Sequence, residues 1–131
     1  MLFRSMIYYS FNEPALNGFS SILATKYQNH PHYHLIETFS IPTHKLSDIL
    51  DKYMPLETEI DFLSIDVEGL DFEVLRSNNW NKYHPKIILI ESWDSKLDSL
   101  SSHSISQFLY THGYELYAKT NATLFYRQKI V

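Results

Sequence analysis

The sequence predicts an α/β fold with a mostly parallel sheet and a C-terminal antiparallel hairpin. Strand-like and helix-like segments alternate along the chain, an order typical of a parallel sheet with helices on its faces. Two short runs, Ile60 to Val67 and Ile87 to Ile90, contain few polar residues, as do strands that are covered on both faces. Near the end, Tyr114 to Ala118 and Ala122 to Arg127 are strand-like segments joined by three residues, which predicts the hairpin.

The first half of the chain supplies two strands and two helices to this scheme. Ser5 to Phe11 and Leu35 to Ile41 contain many aromatic and β-branched residues, the types that are enriched in strands. Ser20 is predicted to cap a first helix, and Ser47 is predicted to cap a second helix that Pro55 ends.

Two more helices are predicted after the first apolar run. Leu70 to Ser77 carries its aliphatic residues on one side, as a helix against a sheet does. Ser104 and Gln107 have the spacing of a capping box, so a helix is predicted from Ser104 to His112. Gly113 fits the position that follows a helix end.

Length and charge restrict the class of protein. The chain has 131 residues, enough for one domain, and its net charge is −4 with no cluster of Lys or Arg. Nucleic acid is therefore not expected as a partner, because binding it requires a basic surface. No apolar run is long enough to cross a bilayer, no secretory signal precedes the first strand, and there is no cysteine. We expect a cytoplasmic protein with no membrane partner.

Acidic side chains follow both apolar runs, at the point where each predicted strand ends. Asp66 and Glu68 follow the first run, and Glu91 follows the second. Ligands of an open parallel sheet bind outside the carboxyl ends of its strands, so these three residues are the candidate catalytic groups. Carboxylates at this edge can accept a proton, bind a hard cation or accept hydrogen bonds from a hydroxyl or an ammonium group. While the backbone stays extended, Asp66 and Glu68 point to the same face.

A purely structural role is open for some of the same residues. Asp66 would then cap the following helix, and Glu68 would favour its positive N-terminal end. Glu91 directly follows four aliphatic residues, where a charge is costly unless it is paired or solvated. Trp93 would form either a wall of a substrate pocket or part of the core at the end of the sheet.

Three histidines alternate along one short segment: His30, His32 and His34. In an extended conformation they would share a face and could bind a metal ion. No fourth ligand stands at a recognisable spacing, so a polar loop is favoured and no metal is assigned.

Several stretches of the chain resemble the FkbM family of S-adenosylmethionine-dependent methyltransferases. The most specific is Ile65-Asp66-Val67-Glu68-Gly69 after Asp61-Phe62-Leu63, in combination with the later Ile90-Glu91. The resemblance extends over nearly the whole chain through Glu13 to Ser20, Leu70 to Leu75, Pro85 to Glu91 and Asn121 to Arg127.

The resemblance implies part of a Rossmann-like class I methyltransferase fold and methyl transfer from S-adenosylmethionine. The acceptor would be a small molecule, with the methyl group placed on an oxygen of a sugar, a polyketide or a similar metabolite. Asp66 would orient or deprotonate the acceptor hydroxyl at a sheet edge that it shares with Glu68, and Glu91 would support it. Trp93 and Asn17 are assigned to substrate binding.

The chain departs from the family pattern in its glycines. Such domains begin with a strand, a Gly-rich turn and a helix that bind the cofactor, whereas this sequence has three isolated glycines. We therefore expect a single domain over residues 1–131 that is truncated on its N-terminal side. It would act with a complementing N-terminal half or as a homodimer. The alternatives are a non-catalytic remnant that serves as an oligomerising or binding module, and a metal-dependent hydrolase using Asp66, Glu68 and Glu91.

Overall fold

The computed structural model describes residues 5–92 and 103–130, and these residues form two compact units. The first unit contains the described chain up to Lys45 together with Val67–Gly69. The second unit contains Leu46–Asp66 and the described residues from Leu70 onwards. Each unit contains both helix and strand, so the predicted α/β class is confirmed. The described helices are all too short or too polar to cross a lipid bilayer.

The first unit is a two-stranded antiparallel sheet with one helix. Its elements are strand β1 (Ser5–Phe11), a 3-10 turn (Pro14–Leu16), helix α1 (Ser21–Gln28) and strand β2 (Leu35–Pro42). Ser20 caps α1 as predicted, because its hydroxyl oxygen accepts a hydrogen bond from the Leu23 N–H at 3.2 Å.

Two polar side chains hold the loops of the first unit against β1. The Phe11 N–H donates to Asn17 Oδ1 at 2.7 Å. Asn12 accepts from the His34 N–H at 2.8 Å and donates to the His32 carbonyl at 3.1 Å. The loop that contains the histidines is therefore fixed to the end of β1.

The second unit is built on a four-stranded sheet. Its helices are α2 (Leu46–Tyr53), α3 (Asp71–Arg76) and α4 (Ser104–Thr111). Its strands are β3 (Phe62–Ile65), β4 (Ile87–Glu91), β5 (Tyr114–Lys119) and β6 (Thr123–Gln128), in the spatial order β3-β4-β6-β5. The β3–β4 pair is parallel, and the β4–β6 and β5–β6 pairs are antiparallel.

The predicted C-terminal hairpin is confirmed, but the expectation of a mostly parallel sheet is wrong for the described residues. The hairpin places β6 between β4 and β5, so β5 runs in the same direction as β4 without touching it. In addition, β1 and β2 pair with each other in a separate sheet. The four-stranded sheet is therefore mixed.

Two predicted helix caps are also wrong. Ser47 lies inside α2, whose first N–H groups donate to Ser77: Leu46 N to its hydroxyl oxygen at 2.9 Å and Ser47 N to its carbonyl at 3.3 Å. In α4, His103 occupies the N-cap position without a side-chain hydrogen bond to the helix, and Ser104 is the first helical residue. Gly113 follows α4 with a φ of +88°, in agreement with the predicted helix end.

The core of the second unit lies between its sheet and its helices. Leu75, Ile88, Ile90, Leu109 and Leu124 have no exposed surface. Tyr114 is also buried, and its hydroxyl donates to the Pro85 carbonyl at 2.6 Å. Burial raises the pKa of Tyr114 because the phenolate would lose its hydration.

Candidate active site

Asp66 and Glu91 meet at the carboxyl ends of the two parallel strands. In the parallel register Ile65 pairs with Ile90, so the next residue on each strand is an acid. The carboxylate oxygens of Asp66 and Glu91 lie within 4.8 Å of each other. Asp66 is exposed and Glu91 is partly buried. The strand-end placement predicted for these two residues is confirmed, and their catalytic roles stay predictions.

This pair of carboxylates can act on a hydroxyl-bearing molecule in two ways. One carboxylate can accept the hydroxyl proton while the other carboxylate accepts a hydrogen bond from a neighbouring group of the same ligand. The pair could also contribute oxygen ligands to a hard cation, which prefers such donors. Proximity of two like charges favours occupants that bring positive charge or hydrogen-bond donors.

The structural role predicted for Asp66 is wrong. The N-cap position of α3 is held by Leu70, without a side-chain hydrogen bond, and the acids of its first turn are Asp71 and Glu73. Asp66 precedes that helix by several residues and does not cap it. Its position at the end of β3 therefore needs another explanation.

Glu68 has an unusual backbone conformation. Its φ is +51°, in the left-handed region that side chains with a Cβ rarely adopt, and Gly69 follows with a φ of +92°. Asp66 and Glu68 were predicted to share a face only while the backbone stays extended. The backbone is no longer extended at Glu68, so that argument does not apply to it. Glu68 belongs to the first unit, in the short segment Val67–Gly69.

Within the first unit, Glu68 and Asn17 line the same small cavity. Its volume is about 10 Å³, which is roughly the space that one water molecule needs. Apolar walls come from β1 and α1, and further polar walls come from two tyrosines and one serine, namely Tyr9, Tyr27 and Ser20. The structure thus brings two of the predicted site residues together in a place that the sequence did not indicate.

The backbone of β1 closes one side of this cavity. Tyr9 and Gly18 form a bridge of two backbone hydrogen bonds, Tyr9 N to Gly18 O at 2.8 Å and Gly18 N to Tyr9 O at 3.2 Å. A Cβ at position 18 would lie 3.8 Å from the Cβ of Glu68, which shows how closely the two residues approach. The sequence did not reveal the roles of Tyr9 and Gly18. The turn pattern Asn17-Gly18 predicts a chain reversal, but it does not predict the strand residue with which the turn pairs.

The remaining predicted residues are placed as follows. Trp93 lies outside the described residues. His30, His32 and His34 are exposed. The His30 ring stacks on Tyr33 with a centroid distance of 4.4 Å, and its Nδ1 accepts from the His32 N–H at 3.4 Å. These contacts describe a polar loop.

The family model that matches the chain is described as the methyltransferase FkbM domain, and the match covers residues 8–116. The chain belongs to this family. The match includes the second half of β1, both carboxylates at the ends of β3 and β4, and the first half of β5. The family resemblance of the sequence motifs is therefore confirmed. No curated protein and no solved structure matches the chain.

Proposed function

We propose that this FkbM-family chain takes part in the transfer of a methyl group from S-adenosylmethionine to an oxygen of a small hydroxylated metabolite. A sugar, a polyketide or a similar compound would be the acceptor. The observation that carries the proposal is the Asp66–Glu91 pair, two carboxylates within 4.8 Å at neighbouring strand ends. Ligands of α/β sheets bind at this edge. The parallel β3–β4 pair would be part of a Rossmann-like class I methyltransferase sheet.

In this proposal Asp66 acts on the acceptor hydroxyl directly. As an exposed carboxylate at the end of β3, it accepts the hydroxyl hydrogen bond, orients the oxygen and takes up the proton as the oxygen becomes methylated. Glu91 is half-buried on the neighbouring strand and holds the acceptor through a second hydrogen bond. Glu68 is assigned to acceptor recognition through the first unit.

The described residues do not include a turn that fits the methyl donor as the family pattern describes it. Gly18 is engaged in the bridge with Tyr9, Gly69 lies in the turn after β3, and Gly113 follows the end of α4. No two of these glycines form the paired-glycine turn of a donor site. We therefore assign no described residue to S-adenosylmethionine and propose that a complementing polypeptide segment holds it.

The test compares two aspartates at opposite ends of one strand. Tritium transfer from methyl-labelled S-adenosylmethionine would be measured on a panel of neutral sugars and polyols, with calorimetry for donor binding. Asp66→Asn is expected to reduce the transfer rate by about 10²- to 10⁴-fold, the usual contribution of a general base. Asp61→Asn is the control, because Asp61 precedes β3 and pairs with Lys86 at 2.8 Å. It should leave the rate within a factor of two of wild type, by the same reasoning.

The proposal fails if Asp66→Asn and Asp61→Asn transfer methyl groups equally well. It also fails if the chain neither binds S-adenosylmethionine in calorimetry nor transfers its methyl group. That result must hold for the chain alone and for the chain with a candidate complementing segment. Circular dichroism of both variants would establish that they are folded, so that a lost rate reports on chemistry.

A second candidate is a non-catalytic module that self-associates through β3. Among the described residues β3 has one strand neighbour, and Phe62 on it is 65% exposed. An edge strand with an exposed aromatic residue invites pairing with another chain. Light scattering would give a dimer mass for wild type and a monomer mass for Phe62→Lys, whereas a monomeric wild type would exclude this candidate.

A further inference from the structure

The cavity of the first unit combines apolar walls with several polar side chains. Phe11, Leu23 and Ala24 supply apolar surface, and Asn17 and Glu68 supply polar atoms together with Ser20. All of these residues belong to the first unit. A cavity of this size with polar groups among apolar walls has room for one small polar group.

The hydrogen bonds that these side chains already make within the protein show which donors and acceptors remain for a ligand. Asn17 Oδ1 accepts from the Phe11 N–H at 2.7 Å, so the carbonyl end of this amide is engaged. Its Nδ2 group remains as a donor. The Ser20 hydroxyl oxygen likewise accepts from the Leu23 N–H at 3.2 Å. Both side chains are thus fixed by backbone donors, and each keeps an N–H or O–H group that can donate.

Glu68 supplies a hydrogen-bond acceptor. An ionised carboxylate only accepts hydrogen bonds. Within the part of the chain that the structure describes, the Glu68 side chain makes no ion pair or hydrogen bond, and it is exposed. Its left-handed backbone conformation costs free energy, and such conformations concentrate at ligand-binding segments.

A donor and an acceptor side by side favour a ligand group that both accepts and donates hydrogen bonds, as a hydroxyl does. A hydroxyl can accept from the Asn17 amide and donate to the Glu68 carboxylate at the same time. An ammonium group has no lone pair for the amide, and a carboxylate has no proton for Glu68. The cavity volume of about 10 Å³ suits one hydroxyl and excludes a ring.

We propose that this cavity is a recognition subsite for a hydroxyl group of a neutral polyhydroxylated acceptor. Asn17 and Glu68 bind the hydroxyl, and Phe11 and Ala24 contact its carbon. This inference rests on the proposed function for the identity of the ligand as the methyl acceptor.

Two small probes of similar size test the subsite by NMR. Ethylene glycol and ethylamine hydrochloride would be titrated into the ¹⁵N-labelled chain while the Gly18 amide and the Asn17 side-chain amide are followed. Wild type should show saturable shifts with ethylene glycol and weaker binding of ethylamine. Asn17→Asp keeps the acceptor for the Phe11 N–H but removes the donor, so it should weaken glycol binding about tenfold and favour ethylamine.

The matched control is Asn12→Asp, the same change in the same unit at a residue that does not line the cavity. It should leave both titrations as in wild type. Glu68→Gln is the second variant; it keeps the side-chain size and should weaken glycol binding several-fold, because a neutral acceptor replaces a charged one. Dispersed amide spectra would establish that each variant is folded.

Two results would overturn the subsite: no saturable glycol shift in wild type, or equal effects of Asn17→Asp and Asn12→Asp. Tighter binding of ethylamine than of glycol to wild type would also do so. Glycol binding without any methyl transfer would remove the proposed function and keep a hydroxyl-binding site. Methyl transfer without glycol binding would remove the subsite alone.

Discussion

The two units of the molecule differ sharply in how much hydrophobic surface they bury. Of the twelve buried hydrophobic residues in the described chain, Phe11 and Ala24 lie in the first unit and ten lie in the second. The first unit has two strands, and the second has four strands in one sheet. A two-stranded sheet is marginally stable by itself. The first unit is therefore held by its hydrogen bonds and by aromatic contacts such as that between Phe11 and Tyr27, and the second by its core.

This difference matters because each unit carries a candidate site of its own. The second unit supplies Asp66 and Glu91 from strand ends that its core fixes, a suitable support for groups that must be positioned accurately. The first unit supplies Asn17 and Glu68 from loops. Binding segments are commonly drawn from the less stable parts of a protein, where local opening costs little.

The largest predicted effect concerns two isoleucines on strands of the two units. Ile90 on β4 is 0% exposed, and Ile36 on β2 is 59% exposed. Ile90→Ala is expected to reduce the free energy of unfolding by about 2–5 kcal/mol, because it removes buried contacts and leaves a cavity. Ile36→Ala should change it by less than about 1 kcal/mol. Urea denaturation followed by circular dichroism measures both.

Hydrogen exchange would show whether this contrast extends to the backbone. Amides of β1 and β2 should exchange faster than those of β4 and β6, because few buried contacts resist their opening. The comparison is contradicted if amides of the two sheets exchange equally slowly. It is also contradicted if Ile90→Ala and Ile36→Ala lose the same free energy of unfolding.

The second prediction uses a pair of glutamates with the same strained backbone. Glu68 in the first unit has a φ of +51°, and Glu57 in the second has a φ of +61°. Replacement by glycine relieves the strain, and the net gain in the free energy of unfolding should be at most about 1 kcal/mol for each. If Glu68 is held for ligand binding, Glu68→Gly should also lose ethylene glycol binding while Glu57→Gly retains it. A destabilised Glu57→Gly variant would contradict the strain argument.

The smallest predicted effect is a pH dependence that belongs to the second unit. Hydrogen bonds from Lys82 and then Tyr83 lower the pKa of Asp51 below its usual value. A lowered pKa in the folded state means that this contribution to stability is present above the unfolded pKa and disappears as the pH falls through the folded pKa. Asp51→Asn should therefore lower the urea midpoint at pH 7 and match wild type near pH 2.

Glu37→Gln provides the reference for this measurement. Glu37 is an exposed carboxylate on β2, and no ion pair of it is found within the described residues. Its substitution should leave the difference in urea midpoint between pH 7 and pH 2 close to that of wild type. An Asp51→Asn variant whose urea midpoint follows wild type at both pH values would refute the assignment.

The sequence was sufficient for features that depend on local pattern and failed for those that depend on distant partners. The buried runs around Ile65 and Ile90 predicted parallel strands with acids at their ends, because short apolar runs rich in β-branched residues and bounded by turn residues favour buried strands over helices. The cap assigned to Ser47 failed because Ser77, thirty residues further along, supplies the hydrogen bonds instead. A serine that matches a cap motif competes with any other acceptor that the fold brings near.

The two candidate sites differ in the same respect. Asp66 and Glu91 could be found because they follow predicted strands of one sheet. The cavity that joins Asn17 to Glu68 depends on a contact across some fifty residues of sequence, which no periodicity encodes. The left-handed conformation of Glu68 could not be inferred either, since such a φ is unusual for glutamate.

The position of β6 between β4 and β5 also determines when the sheet can be completed during synthesis. On the ribosome, β3 and β4 can pair as soon as both have emerged, but the other edge of β4 must wait for Thr123–Gln128. Until then the apolar residues of β4 stand beside an open edge, a state that favours aggregation or chaperone binding. At translation rates of about 5–20 residues per second, this vulnerable interval lasts for seconds. A ribosome that stalls before Thr123 would therefore leave a nascent chain with an unsealed sheet.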